Sequence, residues 1–563
     1  MKTNAIMHNH SLTSKTARLR PLSWMVMVCF GLSCSLAIGP AISNPVGPQV
    51  VSGKAEIVQQ GNILTITNSN NAIINWQNFS ISPDEITRFL QPSSSSSVLN
   101  RVQGAYPSQI LGALQSNGKV FLINPNGILF GNGARVDVNG LIASSLQLSN
   151  EDFLAGKRNF NAGSKAEAVE NRAAITTPSG GQVFLLAPNV ANNGIINAPN
   201  GDIVLAAGRS VQLVDSGNPD LHVVVSAPEN QSINLGQIIS HGGRIGIYGA
   251  LVNQRGNVNA NSAVLGSNGK IVLKASRDAV LESGSQTSAV SSAGQGGNIA
   301  VLGQKVIANG NAQVDASGAT GGGTVLLGGD FQGTNPNVPN AEQNFFSKDA
   351  DATRSGNGGK IILWSDKATQ AYGNLSARGA GENGVGGLVE VSSKKYLDFR
   401  AKANLAGGKQ GQGGTLLLDP ELLVIHGGAD DGATDGDTDF RNGSNVSGTL
   451  DFGDSLSIVY QSELEGIGSD TNIVLQATRR IETAGTFDNS KVQLQNNNSL
   501  QMTTRNASSD PSSATKGIDL TTSNDGAALE FATTGTGSIN LSSSTALYQS
   551  AGLKVGKLTT AGG

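Results

Sequence analysis

The chain has 563 residues, with 73 glycines, 4% aromatic and 14% charged residues, and a net charge of −3. Glycine stands at roughly twice its usual share, strong helix formers are thin, and this length exceeds what one ordinary core holds. A compact helical domain is therefore excluded, a repeat in which each unit packs only on its neighbours is favoured, and the mildly acidic balance excludes the electrostatic footprint of a nucleic-acid or anionic-membrane binder.

The N-terminus reads as an export signal. Lys2, Lys15, Arg18 and Arg20 precede an apolar run from Leu22 to Ile38, and no acid occurs in residues 1–44. Ala41 and Ser43 place small residues at −3 and −1, which predicts cleavage between Ser43 and Asn44. A membrane anchor is the rival reading, but the run is short and Gly31, Gly39 and Pro40 interrupt it. Both cysteines, Cys29 and Cys34, fall in this segment, so the mature chain carries no thiol to lock it folded in an oxidising periplasm. Cleavage leaves 34 bases against 41 acids, a net −7.

The first mature segment, with Ile57, Ile63, Leu64, Ile66, Ile73 and Ile74 around Gly61-Asn62, reads as strands that cap a solenoid end. A unit then recurs: glycine, a polar residue, and a short Val/Ile/Leu run, as in Gly201-Asp202-Ile203-Val204-Leu205 and Gly269-Lys270-Ile271-Val272-Leu273. Counted from Gly181 to Gly414, the spacings are 20, 42, 26, 28, 26, 36, 28 and 27. Most match one coil of three short strands. The gap of 42 reads as about two coils, and the gap of 36 as one coil with a loop inserted around Thr334–Ala350. Inward Val, Ile, Leu and Ala would stack coil on coil at roughly 4.8 Å. Glycine would supply positive φ or close approach at corners, and Asn would turn the chain and bond neighbouring backbone. A hairpin-built sandwich would space its turns more closely. The predicted fold is all-β, a right-handed parallel β-helix (a single-stranded solenoid) with an N-terminal cap. After Pro420 the texture shifts to an acidic run (Asp430, Asp431, Asp435, Asp437, Asp439) and then to Ser/Thr-rich, weaker strands. The chain stops at Ala561-Gly562-Gly563 with no closing element, which reads as a truncation.

A more specific stretch runs Arg88-Phe89-Leu90-Gln91-Pro92, a serine run, Leu99-Asn100-Arg101-Val102, Ser108-Gln109-Ile110-Leu111-Gly112, Val120-Phe121-Leu122-Ile123-Asn124-Pro125-Asn126-Gly127-Ile128, and Leu141-Ile142-Ala143-Ser144-Ser145-Leu146. It resembles the haemagglutination-activity domain of filamentous-haemagglutinin-type, two-partner secretion exoproteins. Trp364-Ser365-Asp366 and Leu416-Leu417-Leu418-Asp419-Pro420 are similar to the β-helix extension of large members. The resemblance implies a capped right-handed β-helix recognised by an outer-membrane transporter, and a protein secreted or displayed at the surface of a Gram-negative bacterium via the periplasm. It assigns the family's Asn-Pro-Asn-Gly motif to Asn124, Pro125, Asn126, Gly127 and Ile128. A second Asn-Pro-Asn-Leu motif is absent. Leu99, Asn100, Arg101 and Val102 instead resemble the high-molecular-weight-adhesin branch. Read from the residues alone, Asn124–Gly127 is a turn, with Pro fixing φ and Asn-Gly accepting positive φ. The organisation expected is signal peptide 1–43, secretion domain 44–290, glycine-rich β-helix extension 291–425, and an acidic then Ser/Thr-rich region 426–563.

Enzyme chemistry has little to rest on. His222, His241 and His426 are scattered, and metal-site, P-loop and nucleophile-elbow patterns are missing. The acidic run fails as a calcium loop because Phe440 replaces the required Gly and Val446 the required Glu. No catalytic residue, cofactor or metal is assigned. The expected function is a non-enzymatic adhesin whose partners are the transporter and a host-cell or matrix receptor. The alternatives are a β-helix enzyme acting on polysaccharide, for which Asp315, Asp330, Asp366 and Arg378 are candidates by residue type, and the stalk of a contact-dependent toxin. A self-exporting autotransporter would need a C-terminal barrel.

Overall fold

A computed structural model describes residues 43–214, 222–226, 231–234, 236–264, 268–353, 356–429, 457–505, 517–520, 529–543, 554–555 and 557–560. Residues 1–42 of the signal segment 1–43 and the acidic run at 430–439 lie outside the described residues.

The described chain is a right-handed parallel β-helix whose coils contribute three strands each, the first of them generally the longest. The recurring glycine–polar–apolar units become the longer strands, and they stack in register. Ile203 pairs with Ile245, then Ile271, Ile299, Val325 and Ile361 follow one coil at a time. The ladder continues through Val389, Leu416, Ile473 and Leu500, passing residues 290 and 425 without a break. These side chains point inward to one core with almost no exposure. Strands feed directly across corners, so the period-2 alternation sends every second residue of the long strand to the outer face.

A glycine before a long strand is there for close approach. Gly201, Gly243, Gly297, Gly323 and Gly414 sit at a corner where a Cβ would collide with backbone carbonyl oxygen of the coil below. At these five positions a larger residue would push stacked coils apart. A second corner, between the two shorter strands, is filled by a buried amide ladder. Asn171 Nδ2 donates to Asn192 Oδ1 (2.8 Å), Asn192 Nδ2 to Asn234 Oδ1 (2.9 Å) and Asn234 Nδ2 to Gln254 Oε1 (2.7 Å). All four residues are fully buried. Asparagine therefore bonds its own counterpart in the next coil as well as nearby backbone.

The cap is antiparallel. Strand Ala55–Gln60 forms a hairpin with Ile63–Asn68 across Gly61-Asn62, and Gln49–Ser52 runs against Ala72–Trp76. Parallel pairing begins above them, Ile63–Asn68 to Ile86–Leu90 and Ala72–Trp76 to Ser97–Val102.

One spacing is corrected. The 42-residue gap between Gly201 and Gly243 holds one coil, since Asp202 pairs directly with Arg244. The extra length leaves the coil as the hairpin Ser210–Val214/His222–Ser226, which joins strand Asn159–Asn161 in a separate three-stranded antiparallel sheet. The 36-residue gap does carry an insertion, but it spans 328–340; Ala341–Phe346 is already a coil strand. Among the described residues, the excursions at 145–168, at 208–214 with 222–226, and at 328–340 leave after the long strand, at one corner.

Candidate functional site

The excursions decide what happens on the outer face of the long-strand sheet. Outward residues Ile73, Leu99, Phe121, Ile142 and Phe184 would be an exposed apolar column. The helix Asn150–Leu154 and the antiparallel sheet cover them, adding Phe153, Phe160 and Val211 to a second core. The helix starts at Ser149, whose side chain accepts from the Asp152 N–H (3.0 Å), and it places Phe153 edge-on to Phe121 with centroids 5.1 Å apart.

The Leu99–Val102 segment ties these layers together by alternation. Leu99 joins the outer cluster, and Val98 and Val102 enter the coil core. Between them Asn100, fully buried, accepts from Trp76 Nε1 (2.9 Å) and donates to the Phe121 carbonyl (3.3 Å). Arg101 reaches outward, donating to Asn150 Oδ1 (2.9 Å) and the Leu148 carbonyl (2.7 Å), and so pins the start of the helix. Burial lowers the Arg101 pKa against the opposing pull of Glu151.

Asn124–Gly127 is a coil corner. Gly127 N–H donates to the Asn124 carbonyl (3.0 Å), closing a β-turn, and Gly127 takes φ 99°, a region an L side chain resists. Asn124 is fully buried. Its Nδ2 donates to the Tyr106 carbonyl and Ser108 Oγ, both at 3.0 Å, and its Oδ1 accepts from the Asn126 backbone N–H (3.0 Å). Asn126 Nδ2 donates to the Gly104 carbonyl (2.8 Å) and its Oδ1 accepts from Lys165 (2.9 Å). Pro125 accepts from the Glu167 N–H (3.0 Å), and Ile128 is buried in the core. The two asparagines thus hold the 104–108 loop, which leaves Tyr106 50% exposed. The same turn recurs at Asn335-Pro336-Asn337, where Asn335 Oδ1 accepts from the Asn337 N–H (3.0 Å).

At the predicted cleavage point, Ser43 is half-buried and Asn44 is anchored in the cap: it donates to the Asn62 carbonyl (3.1 Å) and accepts from Thr87 Oγ1 (2.9 Å).

The four residues singled out for polysaccharide chemistry do not converge. Asp315 lies on a short strand and accepts from the Ser317 N–H, and Arg378 lies on the same side of the coil, beyond strand Asn374–Ser376. Asp330 and Asp366 sit beside the outer face, occupied with Lys360 and Lys394. Burial raises the pKa of three acids, Glu390, Asp419 and Glu463, none of which sequence reading singled out for chemistry. Glu390 points to the outer face but is fully buried under the 328–340 excursion, where both its oxygens accept from the Gln332 N–H (3.0 and 3.2 Å). Burial raises its pKa to about 7 and that of Asp419 to about 6. The available signal was an acid in mid-strand within Leu388-Val389-Glu390-Val391 and at the end of Leu416-Leu417-Leu418-Asp419.

Comparison with known proteins agrees with this architecture. A family model described as the TPS secretion domain matches residues 41–287. The chain is similar to the crystal structure of the HMW1 secretion domain from Haemophilus influenzae, with TM-score 0.60 and 34% identity, covering 67% of this chain and all of that one. It is also similar to a heme/hemopexin-binding protein of Haemophilus influenzae (strain ATCC 51907 / DSM 11121 / KW20 / Rd), 41% identical over 105 residues, 18% of this chain and 12% of the relative. A second heme/hemopexin-binding protein of Haemophilus influenzae is 42% identical over 80 residues, 14% of this chain and 9% of the relative. The matched segments are thus a small part of those curated relatives. A 34%-identical secretion domain contained whole within this β-helix, together with the family match, leads to one conclusion: the chain belongs to the two-partner secretion exoprotein family, whose members cross the outer membrane of Gram-negative bacteria through a cognate transporter.

Proposed function

We propose that this exoprotein is a non-enzymatic adhesin of the filamentous-haemagglutinin kind. In this reading, residues 1–43 direct export, 44–290 are recognised by the outer-membrane transporter, and 291–425 and 426–563 lengthen the rod that meets a host-cell or matrix receptor. The observation that carries transporter recognition is the cap. Val46, Val50, Val51 and Val58 are 40–50% exposed there. Strands Gln49–Ser52 and Ala55–Gln60 each have one ladder partner among the described residues. An apolar strand edge left bare is a template for pairing with another chain. Asn124–Ile128 act one step behind it, as positioning residues that shape the loop bearing Tyr106. The adhesin reading is supported by a long solenoid whose outer columns are side chains on a rigid lattice, and by the failure of the candidate catalytic acids to meet.

The test combines export and capture. Export into the medium is measured with and without the transporter, and the purified chain is captured on the transporter's periplasmic region. Val50→Lys with Val58→Lys is expected to weaken capture at least tenfold while hydrogen-exchange protection of residues 108–130 is unchanged. Asn124→Ala is expected to lower both capture and that protection. Export that is indifferent to the transporter would overturn the reading.

A further inference from the structure

Between the antiparallel sheet and the 328–340 excursion, the outer face of the long-strand sheet is open as a trough of about 560 Å³. It crosses the five coils that begin at Asp202, Arg244, Lys270, Asn298 and Thr324, about 19 Å at about 4.8 Å per coil. The Val204 and Tyr248 end abuts the cluster under the antiparallel sheet. The other end is closed by Asn335, Asn337, Val338 and Pro339 of the excursion.

The lining has a definite chemistry. Alternation places the half-buried Val272 and Ala300 on its floor, between the buried Val204 and Leu326 at its ends, with their neighbours turned into the core. The neutral polar groups in its lining are amides and hydroxyls: Asn298, Asn335, Asn337, Thr324 and Tyr248. One carboxylate, Asp202, stands against three cations, Arg244, Lys270 and Lys274. Arg244 grips Asp202 through two bonds, at 2.7 and 2.8 Å. The trough is thus net positive on a chain that is net −7 after residue 43.

We propose that this trough binds a carboxylated polysaccharide, a chain of uronic-acid pyranoses lying along the helix axis. Charge complementarity supplies the sign, since an anionic chain is drawn to a basic trough. The apolar floor suits the C–H faces of sugar rings, and the side-chain amides suit their hydroxyls. An extended acidic peptide fits worse. The floor is the face of a sheet, not its edge, so its backbone groups are already paired in the ladders and offer no strand addition. The lining holds more cations than carboxylates by a modest margin, which suits a carboxylated chain better than a densely sulfated one. The inference does not rest on transporter recognition, because purified protein tests it.

Binding of labelled oligogalacturonate to the purified chain is measured by fluorescence polarisation, beside a neutral cello-oligosaccharide, a polyglutamate peptide and a heparin-derived oligomer. The uronate oligomer is expected to bind, and to bind less tightly as salt rises. Lys270→Glu with Lys274→Glu is expected to weaken it at least tenfold, and so is Ala300→Trp, which fills the floor. Lys402→Glu, on a short strand elsewhere on the coil, is expected to leave it within twofold. Lys274 is exposed, so Lys274→Glu alone keeps the fold and is expected to weaken binding severalfold. Absence of uronate binding, insensitivity to these trough variants, or tighter binding of polyglutamate, heparin or the neutral chain overturns the proposal.

Discussion

Replacing Asn192 by leucine is expected to open the β-helix locally. Asn192 is the middle of the buried amide ladder: its Oδ1 serves Asn171 and its Nδ2 serves Asn234. Leucine is close in size but leaves the Asn234 oxygen without its donor and the Asn171 amide with only the weaker bond to the Ala173 carbonyl (3.3 Å). Each buried group so orphaned costs about 1–3 kcal/mol, and burying leucine returns up to about 2 kcal/mol. The net is a loss of about 2 kcal/mol, or about thirtyfold in the local opening equilibrium. A solenoid coil touches only its neighbours, so the loss stays near its source. Native-state hydrogen exchange reads this directly. Amides in 169–197 and 231–239 are expected to exchange about thirtyfold faster, with those in 388–419 unchanged. Unchanged protection beside the ladder, or equal acceleration in both regions, would refute the assignment of the ladder as a stabilising column.

Glu390 gives the β-helix a pH dependence. Burial beneath the excursion is the largest influence on it, with Asp419 and Asp330 adding repulsion and the Gln332 and Ser392 hydrogen bonds opposing. Its folded pKa of about 7 lies above the ordinary 4.5, so its contribution is fully present below about pH 4.5 and is lost as the pH rises through about 7. Glu390→Gln removes that loss, up to about 3 kcal/mol, and keeps an oxygen for the Gln332 N–H. In melting curves the variant should outlast the parent at about pH 8.5 and converge with it at low pH; a margin independent of pH would contradict the raised pKa. Phe153→Ala should cost about 3–5 kcal/mol and release the helix Asn150–Leu154 from Phe121. Tryptic cutting at Lys157 and Arg158 should then accelerate while the coil core keeps its exchange protection, and simultaneous loss of both would show that the outer cluster is not a separate layer.

Much of this protein was written in its sequence. The glycine–polar–apolar unit specified both the coil and its register, because period-2 alternation admits one inward set and a corner glycine admits one close approach. The family was legible for a similar reason: Leu99–Val102 and Asn124–Ile128 are defined by short-range alternation and turn chemistry, which neighbouring residues determine. What crosses between coils was not legible. Nothing local says that the 42 residues from Gly201 to Gly243 hold one coil and a hairpin, because a strand's partner is chosen by the far-off Asn159–Asn161. Nor does the sequence say that Asn171, Asn192, Asn234 and Gln254 stand in one column, or that Glu390 is roofed by a loop some fifty residues earlier. Stacking brings distant residues to the same height on the axis, and the excursions decide which outer columns are covered and which stay open. Those are properties of the folded stack, and only the tertiary structure could decide them.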